Sequence, residues 1–331
     1  MIQKVRNVKI IGTGSYLPTD VRTNEQLEKL VDTTAEWIYK NLGVKERRIA
    51  ADHESTSDLA ASAAINALKM ADLDPLKIDL IIVATTTPDR LAPSTACIVQ
   101  EKIGAFNAAA FDIGAVCSGF IYASTVAIQF ISAGTYNNVL VIGSDTFSRI
   151  TDWNRRDCVF FGDGAGAAIY SHADASEGGF ISSGLFADGR GKFAWTVPAG
   201  GSEKGTSIET VENNEHFYVM DGKAVFRTAV DVLPKAINQV LEDSKLSIDD
   251  VKYILPHQPS IGILKETAKV LNTDFSKFLI TMDKYANMSA GNIPVILDEA
   301  LREGKISKGD ILLLAAVGSG WTWGASIIKW A

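Results

Sequence analysis

Phe111-Asp112-Ile113-Gly114-Ala115-Val116-Cys117-Ser118-Gly119-Phe120 is the stretch whose reading decides the fold. An apolar run leads into it. Ile121 to Ser132 follows, apolar and small with no charge, and the run ends near Gly134. This pattern predicts a strand, a sharp turn and a helix buried on all sides, with Gly134 as its C-terminal stop. Cys117 then falls in the first turn of the helix, where unpaired backbone N–H groups and the positive dipole end favour a thiolate. Gly119 is expected to leave room for a substrate. A buried structural cysteine fits the same pattern, so the choice rests on the rest of the chain.

The chain has 331 residues, 47% of them hydrophobic and 21% charged, enough for two core-forming units. A net charge of −7 argues against nucleic-acid binding. No uninterrupted apolar run reaches the roughly 18 residues of a membrane span. Met1 to Arg6 lacks the apolar core of a signal peptide. The cysteines, 97, 117 and 158, are odd in number and show no metal-type pairing, which fits a reducing, cytoplasmic setting. The histidines, 53, 172, 216 and 257, are too scattered for a metal site.

Taken in order, Val8 to Ile11 reads as a short strand, and Gly12-Thr13-Gly14-Ser15 as a tight turn rather than a dinucleotide fingerprint. Thr23-Asn24-Glu25 caps a short helix through Val31. The basic run Lys45-Glu46-Arg47-Arg48 reads as a solvated face. An Ala-rich helix covers Asp58 to Met70. Asp79 to Thr85 is an apolar strand of the buried parallel type. Ser94 to Ile103 is helical. Asn138 to Gly143 and Cys158 to Phe161 are strands, and the Gly162–Ala167 glycine run marks close backbone packing. Ser171 to Glu209 has no period and reads as an irregular excursion. Helices are expected at Gly222–Asp243, Ile261–Val270 and, after a turn at Tyr285–Ala290, on to about Glu303, with strands at Val251–Leu255, Phe278–Thr281 and Ile311–Val317.

The two halves share one order of elements. Asp79–Thr85 matches Val251–His257 at an offset of 172 (257 − 85), Cys117 matches Asn287 at 170 (287 − 117), and Val139–Gly143 matches Leu314–Gly318 at 175 (318 − 143). One α/β unit is used twice, with residues 1–175 carrying the cysteine and 176–331 the histidine and asparagine. Ligands of such sheets gather beyond the strand ends. If the halves pack about a pseudo-twofold axis, Cys117, His257, Asn287 and the Gly318–Gly320 turn converge on one pocket. Taken singly, His257 also reads as a structural histidine and Asn287 as a turn residue.

These residues resemble the thiolase-fold condensing enzymes, and specifically the β-ketoacyl-ACP synthase III family (ACP, acyl carrier protein). The likeness runs through nearly the whole chain: Asp32-Thr33-x-x-Glu36-Trp37-Ile38, Glu46-Arg47-Arg48-Ile49-Ala50, Cys117-Ser118-Gly119-Phe120, Phe161 to Ala167, Pro256-His257-Gln258, Asn287-x-Ser289-Ala290 and Gly318-x-Gly320-x-Thr322-Trp323-Gly324. The resemblance implies a five-layered αβαβα thiolase-like fold of two pseudo-twofold-related halves, and a homodimer. It implies that Cys117 is the acylated nucleophile, with the backbone N–H groups of Cys117 and Ser319 as the oxyanion site. It implies that His257 and Asn287 steer decarboxylation of malonyl-ACP, giving 3-oxoacyl-ACP in fatty acid biosynthesis. No cofactor or metal is implied; the substrates are CoA or ACP thioesters.

This sequence departs from the family pattern at several places. Thr33, Trp37 and Arg155 match the positions at the CoA mouth, but Asn41 and Gly262 stand where the acetyl-CoA-using member has arginines. CoA recognition is therefore expected to be weaker or rearranged, with an acyl-ACP donor as the alternative. Ser319 replaces a glycine, Val317 replaces a bulkier residue, and Ala92 stands where the loop reaching the partner's acyl channel often carries phenylalanine. The last change hints at a longer or branched acyl group. Arg227, Lys265 and Lys269 are a candidate basic patch for the acidic carrier protein, and equally a solvated surface. A specialised ketosynthase or acyltransferase of secondary metabolism, and an inactive partner subunit of a heterodimer, are the competing readings.

Overall fold

The computed structural model describes residues 6–174 and 177–331. The boundary expected between 175 and 176, and most of Met1–Arg6, lie outside the described residues. Nine strands form the two main sheets: β1 (Asn7–Tyr16), β2 (Leu80–Ala84), β3 (Ala109–Ile113), β4 (Asn138–Thr146), β5 (Asp163–Ala173), β6 (Gly179–Ala187), β7 (Tyr253–Pro256), β8 (Ile311–Gly318) and β9 (Thr322–Lys329). The first sheet runs β1-β5-β4-β2-β3 and the second β7-β8-β9-β6. Six helices cover them: α1 (Thr56–Ala71), α2 (Thr95–Ile103), α3 (Gly119–Ser132), α4 (Gly222–Ser244), α5 (Ile261–Val270) and α6 (Asn292–Arg302).

The layering follows from strands that are apolar on both faces. Successive side chains of a strand point to opposite sides. In β2, Leu80, Ile82 and Ala84 enter the central core, while Ile81 and Val83 face the layer of α1 and α2. In β8, Leu312, Leu314 and Ala316 enter that same central core, and Leu313 and Ala315 face α4 and α5. Between the sheets lie α3 and α6, which contribute Phe120, Ile121, Ile128, Ile293 and Ile296. The order is α1/α2, sheet, α3/α6, sheet, α4/α5, the five layers that the family resemblance implied.

The internal repeat is visible in strand pairing. β2 pairs in parallel with β4, and β7 with β8; β4–β5 and β8–β9 are antiparallel; so are β1–β5 and β6–β9. The Asp79 N–H bonds the Asn138 carbonyl at 2.9 Å, and the Lys252 N–H bonds the Ile311 carbonyl at 2.8 Å. Both partners have moved by 173 positions (252 − 79 and 311 − 138). The offsets of 172 expected for β2 against β7 and of 175 for β4 against β8 are thus both corrected to 173, because sheet register rather than apolar similarity fixes the match.

Other expectations are corrected. Gly12–Ser15 is not a turn but lies inside β1. A Cβ on Gly14 would sit 2.3 Å from the Ala63 carbonyl oxygen, and one on Gly12 2.5 Å from that of Ala67, so the glycines let α1 lie on bare backbone. Arg47 is not solvated. It is wholly buried, donating to the carbonyls of Arg22 and Val159 and to Asn24 Oδ1, and burial lowers its pKa to about 10. Cys158 lies in a short 3-10 turn, Arg156–Val159, and the strand begins at Asp163. The excursion 171–209 contains β6, an edge strand of the second sheet. Phe278 makes a single bridge to Ile254 instead of a strand, and the first short helix ends at Leu27. Among the described residues no helix is long and apolar enough to cross a membrane.

Candidate active site

Cys117 stands where β3 gives way to α3. Val116 is forced to φ +47°, a conformation a β-branched residue rarely adopts, and a 3-10 turn, Val116–Ser118, leads into the helix. Bonds to β9 hold the turn: Ser118 Oγ donates to the Thr322 carbonyl at 2.9 Å and Thr322 Oγ1 to the Ala115 carbonyl at 3.0 Å. Gly318 abuts the same backbone; a Cβ there would lie 2.9 Å from the Cys117 nitrogen. Gly119 serves packing, not substrate access. Its missing side chain accommodates Ala84 of β2, whose Cβ would be 2.9 Å away. Cys117 as a whole residue is 9% exposed. Burial pushes its pKa up to about 12, with the charge of Asp145 adding to the rise and the Ser289 hydroxyl and its own backbone N–H opposing it. The resting group is therefore a thiol rather than the thiolate expected from the helix dipole alone.

His257 follows β7 directly, and its N–H extends the parallel pairing to the Ala315 carbonyl at 2.8 Å. Its ring is buried, and burial pushes its pKa down to about 4 against opposing help from the Asn292 side chain and the Ser289 backbone. At neutral pH the imidazole is uncharged. Nδ1 has no hydrogen-bond partner among the described residues.

Asn287 sits on a turn that mirrors the Cys117 turn. Ala286 and Ser289 take φ +56° and +51°, and a 3-10 turn, Ser289–Gly291, leads into α6. The Asn287 N–H donates to the Phe160 carbonyl at 3.2 Å, and the Gly162 N–H to the Asn287 carbonyl at 3.0 Å, so its backbone is clamped to the segment before β5. Its Oδ1 accepts from the Ser289 N–H at 2.7 Å. That bond identifies the oxygen and leaves the two N–H donors of Nδ2 for other partners.

All three side chains line one cavity of about 550 Å³. Its wall is largely aromatic and aliphatic, with Phe160, Phe161, Trp195, Phe226 and Trp321 among the lining residues. Phe161 and Trp195 belong to a buried aromatic nest with Phe147 and Tyr218. Ser319 also lines the cavity. Its Oγ donates to the Trp195 carbonyl at 2.6 Å, and the Trp321 and Asp188 backbones exchange two hydrogen bonds at 2.7 and 2.9 Å that brace this turn. Gly191 yields to the Trp321 indole, which would lie 1.8 Å from a Cβ there.

The residues expected at the mouth divide. Trp37, Asn41 and Gly262 line the cavity, as does Val317 deeper in, and the Asn41 amide donates back to the Trp37 carbonyl at 2.8 Å. Thr33 and Arg155 are not among the lining residues. Arg155 is turned into an ion pair with Asp157 at 2.7 Å and a bond to the Tyr218 carbonyl. Its neighbour Arg156, not singled out by sequence, stands over the Trp37 ring at 4.5 Å. Lys265 lines the cavity, whereas exposed Arg227 and Lys269 do not, and Lys269 lies 3.7 Å from Glu266. Ala92 is exposed in the loop that also carries Leu91, 93% exposed. Trp195 lies in the aperiodic excursion, where no sequence signal marked it. Asp145 stands near the end of the otherwise apolar strand β4 and is wholly buried.

The 3-oxoacyl-[acyl-carrier-protein (ACP)] synthase III family matches residues 111–189, and its C-terminal part matches residues 241–330. The β-ketoacyl-[acyl-carrier-protein] synthase III of Clostridioides difficile is 50% identical over 322 residues, covering 97% of this chain and 98% of that protein. The enzyme of the same name from Caldanaerobacter subterraneus subsp. tengcongensis is 50% identical over 323 residues and 97% of each chain. The crystal structure of 3-oxoacyl-[acyl-carrier-protein] synthase III from Aquifex aeolicus matches with a TM-score of 0.90 at 40% identity, over 98% of this chain and 100% of that one.

Proposed function

The chain belongs to the β-ketoacyl-[acyl-carrier-protein] synthase III family, and on that premise we propose that Cys117, His257 and Asn287 carry its condensation. It is an acyltransferase, a condensing enzyme of fatty acid biosynthesis. Cys117 sulfur attacks the carbonyl carbon of an acyl thioester. A C–S bond forms, the carrier thiol leaves, and an acyl-enzyme results. The backbone N–H groups of Cys117 and Ser319 hold the tetrahedral oxyanion. Malonyl-ACP then loses CO2, and its enolate carbon attacks the acyl carbon to give 3-oxoacyl-ACP. The enolate oxygen takes hydrogen bonds from the neutral His257 ring and from Asn287 Nδ2, neither of which is acidic enough to quench the carbanion. The observation that carries this reading is the convergence of three side chains, two from mirrored turns and one from the end of β7, on one apolar cavity, with Asn287 oriented to donate.

The donor's carrier is read from the mouth. Arg156 covers one face of Trp37, and Lys40 and Lys265 line the entrance, so the cations favour a phosphate-bearing arm, while Asn41 and Gly262 offer no further charge. We expect acyl-ACP to acylate Cys117 at least as well as acyl-CoA, and Lys265 together with exposed Arg227 to meet the acidic carrier. Intact-mass measurement after incubation with acyl-CoA and acyl-ACP donors tests the whole reading. Acyl mass on Cys117, followed by product release on adding malonyl-ACP, is expected. Absence of acyl mass with every donor defeats it.

A homodimer is part of the proposal. β3 ends its sheet, so one side of its backbone has no strand partner among the described residues, and the Leu91–Ala92 loop is exposed. Light scattering should give twice the 35.6 kDa chain mass at micromolar concentration. A mass near that of one chain would refute the dimer.

A further inference from the structure

Arg47 lies on the short strand Glu46–Ile49, which pairs with Asp20–Thr23, and it is wholly buried. Its Nη1 donates to the Arg22 carbonyl and to Asn24 Oδ1, both at 3.0 Å, and its Nη2 donates to the Val159 carbonyl at 3.0 Å. All three acceptors are uncharged. The ion pair that this strand does form belongs to Arg48 and Glu46, at 3.6 Å. A buried guanidinium bonded to no carboxylate among the described residues is costly, and a methionine would fill much of the same space without that cost. A methionine could not bond the Val159 carbonyl, which lies 112 residues along the chain.

Val159 begins the segment 159–163, and the strand meets that segment at three places. Arg47 holds Val159. The Ala50 N–H donates to Oδ2 of wholly buried Asp163 at 2.8 Å. Between them Gly162 lies so close that a Cβ there would meet the Arg47 Cβ at 2.9 Å and the Tyr285 carbonyl oxygen at 2.6 Å. The same segment carries Asn287: the Phe160 carbonyl accepts the Asn287 N–H at 3.2 Å, and the Gly162 N–H donates to the Asn287 carbonyl at 3.0 Å. Just ahead of the strand, the Lys45 N–H bonds the Asp283 carbonyl at 3.0 Å, in the residues leading up to Asn287. The strand is thus a splint for the Asn287 turn. With Val159 released, Phe160 loses the strand's support on its N-terminal side and keeps only that at Gly162 and Asp163. The Cys117 turn has separate supports in the Ser118 and Thr322 hydroxyl bonds, and neither passes through 159–163.

We propose that Arg47 is a positioning residue for the condensation, holding Val159 so that Asn287 Nδ2 stands where the enolate oxygen forms. The inference rests on Asn287 receiving that enolate. Arg47 is not among the residues lining the cavity, so it acts through Asn287 and not on the substrate. The role calls for a guanidinium. Its planar fork reaches acceptors on two segments, 22–24 and 159, at once, whereas an ammonium is a point donor that cannot span them in the same geometry. Arg47→Lys therefore keeps the charge and loses the hold.

Arg47→Lys is expected to release CO2 from malonyl-ACP about 10- to 100-fold more slowly, the usual cost of a displaced catalytic group. The loss should fall on kcat, with KM for malonyl-ACP changed by less than about twofold. Acyl mass on Cys117, measured on the same preparation, should build at close to the unmodified rate. A variant that merely loosens the fold loses both half-reactions together, and that result overturns the proposal. The decisive comparison repeats Arg47→Lys in an Asn287→Ala chain. Arg47 has nothing left to position there, so the further loss of CO2 release should be less than about threefold. A loss of about tenfold or more in both backgrounds overturns the proposal and leaves the role of Asn287 standing. Asn287→Ala that by itself leaves CO2 release unchanged overturns that role, and this inference with it. If Arg47→Lys does not fold, Asn24→Ala removes one Nη1 acceptor and should give the same split at a smaller size, about threefold in kcat for CO2 release with acylation unchanged. Absence of that split overturns the proposal.

Discussion

Replacing Cys117 with alanine is expected to leave the protein folded and unable to gain acyl mass from any thioester donor. No other nucleophile is placed to substitute. The other hydroxyl residues lining the cavity are Ser319, whose Oγ is committed to the Trp195 carbonyl, and Ser260, whose Oγ caps α5 by accepting from the Ile263 N–H. Cys158 is wholly buried outside the cavity lining, and Cys97 is exposed on α2. Condensation should fall by about 10⁴-fold or more, the scale at which removal of a covalent nucleophile is felt. Decarboxylation of malonyl-ACP is expected to survive in the same variant. His257 is fixed by its bond to Ala315, and Asn287 by the carbonyl and N–H of the segment 160–162 and by Ser289. None of these supports passes through the sulfur. Intact-mass spectrometry and CO2 release from one preparation separate the two halves of the cycle. An alanine variant that still gains acyl mass would put the nucleophile elsewhere.

That the three groups meet was legible because the apolar code of this fold is redundant. A strand buried on both faces reads as an unbroken apolar run, so β2, β4 and β8 announced themselves. Their shared order then carried His257 to the strand-end position equivalent to Ala84, one residue before Thr85, and Asn287 to a turn that mirrors that of Cys117. What stayed hidden lacks that redundancy. β6 is an edge strand whose residues are mostly half-exposed, so neither face writes a pattern. Glycine is ambiguous in sequence because a turn and a close approach both call for a missing Cβ. Gly12, Gly14 and Gly119 all proved to be close approaches, each decided by a helix or strand distant in sequence. Arg47 looked like part of a charge run, and only tertiary structure reveals that backbone carbonyls and Asn24 enclose it. Arg155 and Arg156 are adjacent on an irregular turn with no periodicity to sort them. Asp157 and the Tyr218 carbonyl capture the first and leave the second to Trp37.

Asn287→Asp should separate the two half-reactions in the opposite sense to the alanine variant. Aspartate is nearly isosteric, and its oxygen can keep the 2.7 Å bond from the Ser289 N–H, so the strained turn need not move. What changes is the other terminal atom, from a two-proton donor to a second acceptor. Acylation of Cys117 makes no use of that donor, and acyl mass should build at close to the unmodified rate. Decarboxylation should fall by about 10²- to 10³-fold, the usual loss when one preorganised oxyanion donor is removed. The direction is reinforced by charge. An ionised carboxylate in this apolar cavity would repel the enolate, and the His257 ring, neutral at every pH above about 4, brings no positive charge to offset it. Lowering the pH toward 5 should therefore restore part of the rate, by protonating the new carboxyl so that it can donate, before His257 itself becomes charged. An amide at 287 has no such titration, so recovery at low pH should be confined to the variant. Equal loss of acylation and decarboxylation, with no such recovery, would mean that Asn287 holds the site together instead of receiving the enolate.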